Sequence, residues 1–146
     1  MGDKMKIAIA NDHHGIEMKH KIIEYLKEKN IESINLGCNE KDNVDYVDYA
    51  VSLGTKVRDG ECDLGILICG TGIGMSIAAN KMDGIVAAKV NTANEAKLCR
   101  EHNMANVMTL AEYTENLFEI VDAFINTEPS KEERHIRRHN KIMNIK

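Results

Sequence analysis

The chain has 146 residues, 43% of them apolar and 29% charged, with four cysteines, one proline and no tryptophan; that suits a single soluble domain over residues 1–146 and is too short for two ordinary ones. A formal net charge of -4 speaks against a nucleic-acid binder, which must neutralise many phosphates with Lys and Arg. The N-terminal MGDKMKIAIAND does not read as a secretion signal, and no apolar run approaches membrane-spanning length. Cys38, Cys62, Cys69 and Cys99 lack any C-x-x-C or disulfide-framework spacing, so the expectation is a cytoplasmic protein with reduced thiols.

In chain order, Met5 to Ala10 is the first strand-length apolar run, and it leads into Asn11-Asp12-His13-His14-Gly15. A helix follows, with Met18, Ile22, Tyr25 and Leu26 on one face. Ile31 to Leu36 reads as a second strand, and Val47, Ala50, Val51 and Gly54 keep to one helical face. Leu64 to Cys69 is the third strand, then Gly70-Thr71-Gly72-Ile73-Gly74 forms a glycine loop, and Ile77 to Lys81 reads as helix. Ile85 to Val90 is the fourth strand, and a helix then closes at Leu98-Cys99-Arg100-Glu101-His102-Asn103. Ala105 to Leu110 is the fifth. Leu117, Ile120, Val121, Phe124 and Ile125 make the cleanest helical stripe, and a basic helix from near Ser130, about 130–145, carries Arg134, Arg137, Arg138 and Lys141.

Strands alternating with helices, and too apolar to have a wet face, imply a doubly wound, Rossmann-like α/β domain. Its five-stranded parallel sheet is covered by helices on both faces. The expected strand order is 2-1-3-4-5, which sets the first and third strands side by side. Ligands of such folds bind beyond the carboxyl ends of the strands where the order reverses, so the segments just after Ala10 and Ile68 are the ones to read for chemistry.

After the first strand, Asn11 or Asp12 is expected to cap the helix, the commoner role of these residue types; the alternative is a carboxylate and imidazole relaying protons. After the third strand, glycines at alternate positions bring backbone amides close to a ligand at a helix N-terminus, a cradle for negative charge. The same terminus favours a thiolate at Cys69, which makes it a candidate base; the plainer alternative is a small core residue. Gly70-Thr71-Gly72-Ile73-Gly74 does not complete G-x-G-x-x-G, so a dinucleotide site is the weaker reading. His102 is explained by its place in a last helical turn, and Arg134 and Arg138, four apart, share a face suited to gripping a phosphate.

Taken together, Asp12-His13, Asp45-Tyr46, Leu67 to Gly74 with Ala78-Ala79-Asn80-Lys81, His102-Asn103 with Asn106, and Arg134-His135 with Arg138 resemble one family over nearly the whole chain. It is that of the type B ribose-5-phosphate isomerases and the related galactose-6-phosphate isomerases. The resemblance implies an aldose-ketose isomerase of the pentose phosphate pathway that interconverts ribose 5-phosphate and ribulose 5-phosphate through a cis-enediolate, with no metal or organic cofactor. On the same ground Cys69 is the base, and amides around Gly70, Gly72, Ile73 and Gly74 bind the enediolate oxygen. Thr71, Asp12 and His102 open the ring and move protons among the oxygens. His13, Arg134 and Arg138 hold the phosphate, while Tyr46 and Asn103 contact the sugar. A homodimer or dimer of dimers is implied, with His102 and Asn103 reaching into the neighbouring subunit's site.

Two departures bear on the substrate. Val47 stands where the family pattern has Pro, and Ala111-Glu112-Tyr113 stands where it has Gly-x-Arg, an arginine that would hold phosphate. The alternatives are an isomerase of a hexose 6-phosphate (allose or galactose) or of a uronate, and a non-catalytic sugar-phosphate-binding subunit.

Overall fold

Alternating side-chain directions along the strands sort the apolar residues onto two faces of one sheet. In β1 (Lys6–Asn11) Ile7 and Ile9 join one core while Ala8 and Ala10 join the other. Likewise β3 (Leu64–Cys69) sends Leu64, Ile66 and Ile68 to the first side and Leu67 and Cys69 to the second. The computed structural model describes residues 5–40 and 43–146.

The remaining elements are α1 (Ile16–Glu28), β2 (Glu32–Asn35), α2 (Tyr46–Arg58), α3 (Ile73–Asn80), β4 (Ala87–Lys89), α4 (Ala93–Glu101), β5 (Val107–Ala111), α5 (Leu117–Asn126) and α6 (Glu133–Met143). All strand pairs are parallel. One core is roofed by α1, α4 and α5 through Ile22, Leu26, Ala96, Cys99, Ile120 and Phe124. The other is roofed by α2 and α3 through Ala50, Leu53, Met75 and Ala79. Each large apolar side chain buried in this way stabilises the fold by roughly 1.5–3 kcal/mol. Gly65 lets α2 press onto the sheet, since a Cβ there would lie 2.4 Å from Leu53 Cδ2.

The five-stranded doubly wound architecture is as the sequence predicts, but the strand order is not. It runs β2-β1-β3-β5-β4, so β5 lies between β3 and β4, with Gly65 opposite Val107 and Cys69 opposite Ala111. Burial explains the exchange. Every residue of β5 is buried, as a strand packed on both faces must be, whereas β4 has three half-buried residues ending in Lys89 and suits an edge. The adjacency of β1 and β3 is as predicted.

Two boundaries also move. α3 begins at Ile73, four residues before the helix the sequence predicts, because Gly72 at φ 78° turns the chain directly into it. Gly74, a loop glycine by sequence, lies in its first turn. α6 begins at Glu133 instead of near Ser130, after a turn in which Glu132 N–H donates to Ser130 Oγ at 3.0 Å. On α6 only His135 is buried, while Ile136, Ile142, Met143 and the following Ile145 are exposed.

Candidate active site

β1 and β3 are parallel neighbours, so their carboxyl ends open side by side, and the loops that leave them line one crevice. The Asp12 N–H donates to Ile68 O at 3.1 Å, tying the first loop to the third strand. α1 then packs closely over that strand, because a Cβ on Gly15 would lie 2.7 Å from Ile68 Cγ2. Only glycine allows this approach.

Cys69 ends β3 and is 5% exposed. Its Sγ accepts the Gly72 N–H at 3.2 Å. Gly72 holds this position through its left-handed conformation and through its carbonyl, which accepts from Thr109 Oγ1 on β5 at 2.9 Å. Thr71 is exposed, and its Oγ1 accepts the Ile73 N–H at 3.2 Å. Beyond it the first-turn amides of α3, Gly74 among them, have no carbonyl partner within the helix. A thiol and a set of free amide donors therefore share one helix N-terminus, an arrangement that can take a proton from carbon and steady an adjacent oxyanion.

The rest of the crevice is closed in by three side chains. Tyr46, at the start of α2, lies across Gly74, where a Cβ would be 2.6 Å from its ring. Asp12 is 5% exposed; its Oδ1 accepts the His14 N–H at 2.9 Å and its Oδ2 stands 3.3 Å from His14 Nδ1. His14 lies against Gly70, 3.7 Å from where a Cβ would be. The expectation that Asn11 or Asp12 caps α1 is thus corrected. The cap residue is Gly15, without a side-chain bond, and Asp12 instead folds back onto its own turn. Asn11 donates to the carbonyls of Asp12 and Cys38 at 2.8 and 2.9 Å. His13 is half-buried, and its Nδ1 has no hydrogen-bond partner among the described residues.

His102, Asn103, Arg134 and Arg138 are not in this crevice. α4 runs from the carboxyl end of β4 back to the amino end of β5, and His102 is its C-terminal cap. It therefore sits on the opposite rim from Cys69, separated by the rise of β5, roughly 13 Å over four residues. There its ring stacks on His135 at 4.4 Å, and Nε2 stands 3.3 Å from Glu101 Oε1. Asn103 and Arg138 are exposed. Arg134 is engaged by Glu132 at 3.2 Å and donates from Nε to His135 Nε2 at 3.4 Å. The residues that the sequence groups into one site are thus divided between two opposite rims of the chain.

Two residues given no role by the sequence stand out. Besides facing Gly70, His14 lines, with Glu112, Thr114 and Asn116, a cleft of about 450 Å³ beside the crevice. Lys19 is fully buried, and its Nζ donates to Cys38 O and Asn39 Oδ1, both at 2.6 Å. Burial lowers its pKa, opposed in part by the nearby Cys38. It ties α1 to the segment leading towards Tyr46. The signal was present: Lys19, Ile22 and Leu26 fall on one helical stripe, all buried.

The sequence profile of the ribose/galactose isomerase family matches residues 7–142. Ribose-5-phosphate isomerase B of Escherichia coli is 46% identical over 103 residues, 70% of this chain and 69% of that protein. Among solved structures, a ribose 5-phosphate isomerase from Thermotoga maritima superposes with a TM-score of 0.92 at 44% identity, covering 98% of this chain and 100% of the other. Ribose-5-phosphate isomerase B from Mycoplasma genitalium, solved with ribulose 5-phosphate bound, gives a TM-score of 0.90 at 41% identity, covering 97% and 96%.

Proposed function

The chain belongs to the ribose/galactose isomerase family, and from that premise we propose that it interconverts ribose 5-phosphate and ribulose 5-phosphate. The observation that carries the reading is Cys69 set beneath the N-terminus of α3, with the Gly72 amide on its sulfur and the glycine loop open beside it. In the aldose-to-ketose direction the Cys69 thiolate removes the C2 proton of the open-chain sugar. The electrons move towards the carbonyl to give a cis-enediolate, and the proton returns to C1. Charge on the enediolate oxygen meets the Gly70–Gly74 turn through amides such as that of Gly74, those of Gly72 and Ile73 being taken by Cys69 Sγ and Thr71 Oγ1; preorganised donors contribute most there. Asp12 and Thr71 serve ring opening and proton movement among the oxygens, Tyr46 contacts the sugar, and His13 receives the phosphate.

The same reading makes the working unit a homodimer, or a dimer of dimers. His102, Asn103, Arg134 and Arg138 lie on the rim opposite Cys69, so they can serve a substrate only in a neighbouring subunit's crevice. The exposed apolar residues of α6 and of the rim around Tyr46, Val47, Ile73 and Ile77 suit a face covered by a second copy. A working thiol needs a reducing compartment, which is why the reading places the protein in the cytoplasm.

A second reading, a hexose 6-phosphate isomerase, is favoured by one observation. Tyr113, 62% exposed in the turn after β5, takes the place of an arginine in the family pattern. A coupled isomerase assay across ribose 5-phosphate, allose 6-phosphate, galactose 6-phosphate and unphosphorylated sugars decides between them. The pentose reading expects the highest kcat/KM with ribose 5-phosphate and fails if a hexose phosphate is preferred by a wide margin.

A further inference from the structure

Asp12, His13 and His14 are consecutive, and each offers a ligand atom such that all three lie within 4.8 Å of one another. We propose that this turn is a binding site for a divalent ion of the zinc class, and that an ion held there excludes the sugar phosphate. The second half rests on the reading of Asp12 and His13 as substrate ligands; the first half does not.

Ligand type selects the ion. Two imidazoles and one carboxylate suit Zn²⁺ and Co²⁺, whereas Mg²⁺ and Ca²⁺ favour oxygen-only shells. The spacing is close to what such an ion needs. Ligand atoms on tetrahedral zinc, with bonds of about 2.0–2.1 Å, stand roughly 3.3 Å apart, and Asp12 Oδ2 and His14 Nδ1 are 3.3 Å apart already. The carboxylate is held from behind, because its other oxygen accepts the His14 N–H at 2.9 Å. That support fixes the ligand, and a metal takes the place of the contact between Oδ2 and His14 Nδ1.

His13 has to move to complete the set, and nothing in its hydrogen bonding resists. Its Nδ1 is buried without a partner among the described residues, so a metal bond satisfies an atom that they leave unpaired. The two rings are in contact, with centroids 4.0 Å apart. His14 keeps 43% of its side chain exposed, which leaves an entry path and room for a water as fourth ligand. Cys69 lies beyond Gly70, the residue His14 touches, so an ion on this turn stands at the mouth of the crevice.

The test is a titration of the full-length protein with Co²⁺, read by visible absorbance, followed by displacement with Zn²⁺. The expected result is one ion per chain, with tetrahedral bands that are the same in the wild type and in Cys69→Ala. His13→Gln and His14→Gln should each weaken affinity by at least about tenfold, since even supporting groups of a metal site typically contribute 10–100-fold. Circular dichroism and urea midpoints establish that both variants are folded. In the wild type, Zn²⁺ should raise the KM for ribose 5-phosphate without changing kcat, and EDTA should reverse it. No saturable binding, or unchanged affinity in both histidine variants, overturns the site; the latter would place the ion elsewhere, for instance on the stacked His102 and His135. A thiolate charge-transfer band lost in Cys69→Ala overturns it as well. Binding without competition against the sugar phosphate overturns the exclusion. If the protein fails to turn over ribose 5-phosphate at all, the functional reading falls and the cobalt titration still decides the metal site.

Discussion

Replacing Gly72 by alanine tests whether the loop after β3 works through its backbone. Two costs arise. The residue sits at φ 78°, where an L side chain costs roughly 1–2 kcal/mol, offset by about 0.4–1 kcal/mol because alanine also restricts the unfolded chain. The new methyl would also stand 3.0 Å from the Leu110 carbonyl carbon and 3.1 Å from its oxygen. Leu110 cannot yield, since it is fully buried in β5 and paired with Ile68. Overpacking of this kind costs about 1–3 kcal/mol, so Gly72→Ala should lose roughly 1–4.6 kcal/mol in urea unfolding. Gly60 supplies the control. It has φ 79° with nothing among the described residues within 4 Å of a Cβ, so Gly60→Ala carries only the conformational cost, roughly 0–1.6 kcal/mol net. Because relief of the clash moves the Gly72 amide away from the Cys69 sulfur, kcat for ribose 5-phosphate should fall at least tenfold, since a hydrogen bond to a charged group contributes about 1.5–3 kcal/mol. Equal stabilities for the two variants, or a kcat for Gly72→Ala within a factor of two of wild type, would show that the loop does not work through its backbone.

Cys69→Ala should keep the fold and substrate affinity while turnover falls about 10²- to 10⁴-fold, the usual contribution of a general base; near-full activity in the coupled assay would make Cys69 a core residue. Mixing inactive Cys69→Ala with inactive His102→Ala chains should restore part of the activity through one intact site per heterodimer, and none would return in purified heterodimers if both groups served the same subunit's crevice. Tyr113→Arg should lower the KM for ribose 5-phosphate with little change in kcat, as a charged donor to phosphate contributes roughly 1.5–3 kcal/mol against 0.5–1.5 for a neutral one; an unchanged or higher KM would dissociate that position from phosphate. Burial pushes the Cys99 thiol from its ordinary 9.0 up to about 11. The folded chain therefore holds that proton where the unfolded chain has released it, so stability should decline between pH 9 and 11. Cys99→Ala should show a shallower decline in urea midpoints over that interval, and parallel slopes would contradict the assignment.

Much of this was legible in the residues alone. Strand-length apolar runs placed the five strands and helical periodicity placed the main helices, because a strand covered on both faces must be apolar throughout and a helix packed on one face must repeat its apolar residues at the helical period. The same local logic marked the loop after Leu64–Cys69, where alternate glycines point to close backbone approach. It also marked Asp12 and His13 at the end of the first strand. What the residues left open was decided at longer range. Nothing in Ile85–Val90 or Ala105–Leu110 says which is the inner strand, since both are apolar; the exchange of β4 and β5 depends on how much of each the helices cover. Asp12 resembles a helix cap until the turn is folded, and only then does its carboxylate meet His14. His14 and Lys19 acquire their places through contacts with Gly70 and Cys38, which are distant in sequence. The division of the predicted site residues between two rims follows from the direction in which α4 runs relative to the strands. Spacing along the chain carries no record of it, because a helix that returns to the other end of a parallel sheet takes its last turn away from the crevice.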